Sequence, residues 1–138
     1  MTQALLLDTC ALLWSVDPTP NAQLTREILA RANADQTPVH ISPVSAQEIG
    51  LLLRKGRLAL AVPVRQWFAV ILSQPRVRIA ALSVDVMLAS NDLPDLDHKD
   101  PSDRLLIATA REQGLRIVTR DRAILAYAGR GHVLAIAC

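Results

Sequence analysis

A chain of 138 residues with 51% hydrophobic and 20% charged residues is too apolar to stay disordered and long enough to bury one core. It reads as a single domain over residues 1–138. The net charge of +2 excludes a uniformly basic surface, and 3% aromatics (Trp14, Trp67, Phe68 and Tyr127) exclude a row of rings for stacking bases. Cys10 and Cys138 match no metal or redox spacing, which points to a reduced, cytoplasmic protein with Cys10 buried as a small apolar residue. No signal-like or bilayer-length apolar run occurs.

In chain order, Ala4 to Leu7 is a continuous apolar run that reads as a strand buried on both faces and ends at Asp8. A short helix follows from Thr9 to Val16, closed by Asp17-Pro18-Thr19-Pro20, and a second runs from Ala22 to Ala34. Val39 to Ile41 is a small strand. Ser42-Pro43 opens a helix from Val44 to Lys55, stopped by Gly56. Val64 to Ser73 is helical, Val77 to Leu82 a strand, and Val84 to Ser90 a helix. Asp100-Pro101 starts a helix that runs to Gln113, with Gly114 where a C-terminal glycine belongs. Arg116 to Thr119 is a strand ending at Arg120-Asp121. A helix from Ala123 to Tyr127 and a strand from Val133 to Ile136 complete the chain. Alternating strands and helices imply a three-layer α/β domain with a mainly parallel sheet.

Four acids stand out against this frame. Asp8 and Asp121 directly follow apolar strands, and open parallel sheets bind ligands at the carboxyl ends of their strands. Asp103 is the third residue of the Pro101 helix and shares a face with Ile107 and Ala110, which should look inward. Glu48 aligns with Val44, Leu51 and Leu52 and borders another inward face. Each acid also has a plain reading. Asp8 and Asp100 would cap helices, Glu48 would form a capping box with Ser45, and Asp121 would belong to a turn.

Four acids placed this way by chance is the weaker reading, and a common site has a physical consequence. Two carboxylates about 5 Å apart repel by about 3 kcal/mol at an effective dielectric near 20, so a cluster either raises its pKa values or binds a cation. An all-oxygen donor set suits Mg²⁺ or Mn²⁺ rather than zinc, and such ions organise phosphodiester hydrolysis. Arg104 and Arg120 adjoin these acids and are the candidate contacts to phosphate. His98 reads as a loop histidine, with proton donation as its other role. An aspartyl-nucleophile phosphatase would need a second Asp where Cys10 stands.

Asp8-Thr9, Glu48, the segment Asp100-Pro101-Ser102-Asp103-Arg104-Leu105-Leu106-Ile107-Ala108 and Val118-Thr119-Arg120-Asp121 together resemble a PIN domain, in particular the VapC-like toxin ribonucleases. The resemblance covers essentially the whole chain. It implies a five-stranded parallel sheet, Mg²⁺- or Mn²⁺-dependent cleavage of RNA, and neutralisation by a cognate VapB-like antitoxin. It also implies a homodimer within a toxin–antitoxin complex.

Residue by residue, the resemblance makes Asp8, Glu48, Asp103 and Asp121 the metal-site acids, with Asp100 supporting and Thr9 and Thr119 contributing hydroxyls. It sets an antitoxin groove among the early helices, for which Leu12, Leu13 and Trp14 are the candidates. Cys10, Gln47 and Ser102 depart from the usual pattern without removing an acid. The alternative to an enzyme is a non-catalytic PIN scaffold that acts by binding proteins.

Overall fold

A computed structural model describes residues 3–138 of the chain. At its centre lies β1 (Leu5–Leu7), three leucines buried on both sides. Successive strand residues point to opposite faces, so a strand of this kind needs a cover on each. Leu6 packs with Leu106, Ile107, Ile117 and Tyr127 on one face. Leu5 and Leu7 pack with Leu12, Ile41, Ile49 and Val118 on the other. This double cover makes three layers, α/β/α.

The other strands are β2 (Val39–Ile41), β3 (Val77–Ile79), β4 (Arg116–Thr119) and β5 (Leu134–Ala137). All neighbours pair in parallel, in the order β3-β2-β1-β4-β5, with Leu7 level with Ile41 on one side and Val118 on the other. From β1 the chain crosses to β2 on one side, whereas β4 and β5 lie on the other. That reversal opens a crevice at the carboxyl ends of β1 and β4.

Among the described residues, seven α-helices connect the strands: α1 (Thr9–Ser15), α2 (Gln23–Ala34), α3 (Pro43–Arg54), α4 (Val64–Leu72), α5 (Val84–Ala89), α6 (Pro101–Gln113) and α7 (Arg122–Gly129). The start of α6 is written in its sequence. The Asp100 carboxylate accepts from the N–H groups of Ser102 and Asp103, and Pro101 occupies the first turn. Gly114, at φ +68°, closes the same helix in the left-handed conformation that favours glycine.

Most element boundaries fall within one residue of the sequence reading, and the notable differences are at the third strand, the turn before α2 and the last helix. The third strand ends at Ile79, not Leu82, because Ala80 makes one last bond to Ile41 O and the chain then turns towards α5. A 3₁₀ turn over Pro20–Ala22 precedes α2, where the helix was expected to begin. The last helix spans eight residues and starts at Arg122. No helix among the described residues is long and apolar enough to cross a membrane.

Candidate active site

Asp8, Glu48, Asp103 and Asp121 line one pocket of about 330 Å³, together with Thr9, Cys10, Trp14, Leu106 and Arg120. Four segments supply the acids: the end of β1, the middle of α3, the first turn of α6 and the turn after β4. Parallel pairing of β1 with β4 sends Asp8 and Asp121 out of the same sheet edge.

The plain roles of these residues turn out to be compatible with a shared site. Asp8 caps α1 by accepting from Ala11 N at 2.7 Å, and Asp121 caps α7 by accepting from Ile124 N at 2.9 Å. Each cap uses Oδ1. The other oxygen of Asp8, Oδ2, accepts from the Thr119 hydroxyl at 2.5 Å, and that hydroxyl accepts from Asp121 N at 3.0 Å. Thr119 therefore ties two of the acids together from a fully buried position. The capping box expected of Ser45 and Glu48 does not form, because Ser42 caps α3. Glu48 Oε1 instead accepts from the Thr9 hydroxyl at 2.5 Å, which orients it towards the pocket from the neighbouring helix.

The electrostatics show a cluster of acids with none of the described lysines or arginines paired to it. Among the described residues, no lysine or arginine nitrogen comes within 4.0 Å of these four carboxylates. Burial pushes the Asp8 carboxyl above its ordinary range. The donors from Thr119 and Ala11 pull it back, and Asp103 and Asp121 add to the rise. Burial also raises Glu48, against the Thr9 hydrogen bond and with help from Asp103 and Asp100. Asp103 rises for the same first reason, opposed by its bond to His98 and reinforced by Asp100 and Asp121.

His98 was read as a loop residue, and its place in the site is a finding of the structure. Its Nε2 lies 2.7 Å from Asp103 Oδ2, and it can offer a ligand atom within 4.8 Å of ones from Asp103 and Asp121. The hydrogen bond to Asp103 raises the imidazole's affinity for its proton, with nearby Asp121 and Asp100 adding to the effect. Only its closeness to Asp100-Pro101-Ser102-Asp103 in sequence could have signalled this. The donor set, carboxylate oxygens with one imidazole at the rim, fits a hard divalent ion.

Several residues lie elsewhere than expected. Cys10 is exposed at the pocket wall, not buried, because the core-facing side of α1 is filled by Ala11 and Leu12. Asp100 caps α6 and does not line the pocket. Arg104 donates to the carbonyls of Ser90, Leu96 and His98, which pins the loop before α6 and leaves it outside the acid pocket. Arg120 does line it. Of the residues expected at a partner groove, Leu12 forms the floor of a separate apolar groove of about 330 Å³ with Val16, Leu29 and Ile71. Leu13 packs into the core on the α1 side, and Trp14 belongs to the acid pocket.

Comparison with known proteins agrees with this architecture. The PIN domain family model matches residues 5–130. The chain is 31% identical to Ribonuclease VapC22 of Mycobacterium tuberculosis over 124 residues, covering 90% of this chain and 91% of that one. Among solved structures, DNA-bound VapBC from Salmonella typhimurium superposes with a TM-score of 0.69 at 18% identity, covering 99% of this chain and 98% of the other. VapBC2 from Rickettsia felis, bound to a promoter DNA fragment, gives 0.67 at 16% identity, covering 97% and 98%. These two likenesses concern the fold. Taken with the family match and the VapC22 identity, they lead to one assignment: the chain belongs to the PIN domain family.

Proposed function

We propose that the protein is a divalent-metal-dependent endoribonuclease, the toxin of a toxin–antitoxin pair, neutralised by a VapB-like antitoxin. The observation that carries the reading is the meeting of four carboxylates from four segments in one pocket, none of them paired with lysine or arginine. Family membership and the likeness to a VapC ribonuclease support it. In this reading Asp8, Glu48, Asp103 and Asp121 hold Mg²⁺ or Mn²⁺. When bound, such an ion makes water a better nucleophile at neutral pH and stabilises the leaving oxygen of an in-line displacement.

The chain's own residues fix the geometry. Thr119 and the Ala11 N–H hold Asp8, Thr9 holds Glu48, the Ile124 N–H holds Asp121, and His98 holds Asp103. Donors of this kind orient carboxylate ligands and favour their ionised, metal-binding form. The groove floored by Leu12 is the proposed seat of the antitoxin, with the toxin a homodimer in the cytoplasm.

Metal-free protein is expected to leave RNA intact and to cleave it once Mg²⁺ or Mn²⁺ is supplied. Asp8→Asn and Asp103→Asn should each slow cleavage by about 100-fold or more while the fold survives. Folded variants that cut at the wild-type rate would remove these acids from the mechanism.

A further inference from the structure

Among the described residues, Arg120 is the one cation on the wall of the acid pocket, yet it touches none of the four carboxylates. Coulomb attraction to a carboxylate about 5 Å away is worth about 3 kcal/mol at an effective dielectric near 20, so a free guanidinium would fold onto the cluster. Three restraints hold it back. Nε donates to Cys138 O at 2.8 Å, Nη2 donates to Asn21 O at 3.2 Å, and Cζ sits 3.4 Å from the centroid of the Trp14 ring. The third nitrogen, Nη1, has no hydrogen-bond partner among the described residues. The restraints come from the end of β5, the turn before α2 and the helix α1, so the guanidinium is held by parts of the fold far apart in sequence.

A cation fixed beside an acid cluster but kept off it leaves the acids free for metal and offers a positive donor to something else. The ligand that matches is an anion lying alongside the metal site, and a planar guanidinium backed by an indole suits a phosphate. We propose that Arg120 is a phosphate-positioning residue for the RNA strand, with Trp14 as its support. It holds a phosphodiester next to the one being cut, donating from Nη1. The inference rests on the nuclease reading above and names how that site takes its substrate.

The test pairs steady-state cleavage of a labelled single-stranded RNA with anisotropy binding of the same RNA in Ca²⁺ across a salt series. Arg120→Gln is expected to lower the slope of log K against log salt by about 0.7, the value for one lost contact to a single strand. It should raise KM about tenfold and leave kcat within about twofold. Arg120→Lys should keep the salt slope without restoring KM, because an ammonium cannot stack flat on the ring and reach both carbonyls. It carries the test if the Gln variant does not fold. Trp14→Leu should raise KM, and Trp14→Phe should restore most of it. If wild-type protein cleaves and Arg120→Gln keeps both its KM and its salt slope, the positioning role is overturned alone. If wild-type protein cleaves no RNA with metal, the nuclease reading falls and takes this inference with it.

Discussion

Thr119 does more for the site than its position behind Asp121 suggests. One hydroxyl donates to Asp8 and accepts from the Asp121 backbone, and it is fully buried, so water cannot replace it. Thr119→Val should cost about 1–3 kcal/mol in urea unfolding, because it strands a buried acceptor and a backbone donor together. The same variant should bind metal more weakly, since Asp8 loses a donor that lowers its pKa, and Thr119→Ser should recover both properties. Unchanged stability in the Val variant would show that the two bonds contribute little. At this scale the sequence was readable where an acid follows an apolar strand, as at Asp8 and Asp121. It was not readable where the partner is distant. Nothing near Glu48 announces Thr9, and nothing near Arg120 announces Trp14. The run from Cys10 to Trp14 is apolar all round, so its period cannot say that Leu12 faces the core while Cys10 and Trp14 face the pocket.

The helix α6 shows how one element serves two ends. Its cap, proline and closing glycine are local signals, which is why its limits could be read directly from the chain. Its inward stripe of Leu106, Ile107 and Ala110 anchors the element, and Asp103 rides on that anchored frame. Asp100 stands outside the pocket and holds the helix end. Asp100→Ala should therefore lower unfolding stability by about 1 kcal/mol and reduce cleavage much less than Asp103→Asn does. A loss of cleavage equal to that of Asp103→Asn would make Asp100 a metal ligand rather than a cap. Edge elements were harder to read. The strand β3 stops after three residues because the chain turns away beyond Ala80, and the apolar run to Leu82 carries no mark of that turn.

For the molecule as a whole, the acid cluster sets how stability follows pH. Asp8, Glu48 and Asp103 keep their protons to higher pH when folded than when unfolded, so the folded state binds more protons across that window. Stability then falls as pH rises through it. His98 is raised as well, and what it contributes below its ordinary pKa is lost as pH rises through the folded value. Both effects run the same way. Metal-free protein should melt higher at about pH 5.5 than at about pH 8, and Asp103→Asn should flatten the difference. Saturating metal should raise the melting temperature at neutral pH, corresponding to about 2.7 kcal/mol at a hundredfold excess over Kd, and Asp103→Asn should abolish most of that gain. A melting temperature indifferent to both pH and metal would contradict this account. The three-layer plan was legible because short strand runs rich in Leu, Ile and Val alternate with helical stretches along the chain. The strand order, which brings Asp8 beside Asp121, follows from pairings that no local pattern encodes.

Placing β1 at the middle of the sheet has a consequence for control. Two of the acids hang from the ends of the central strand and its neighbour, with cores packed above and below. Loosening that centre would disturb both cores at once, so control by an external partner is expected to cost less than control from within. An antitoxin seated on the Leu12 groove would act from outside the acid pocket, without entering the core between the layers.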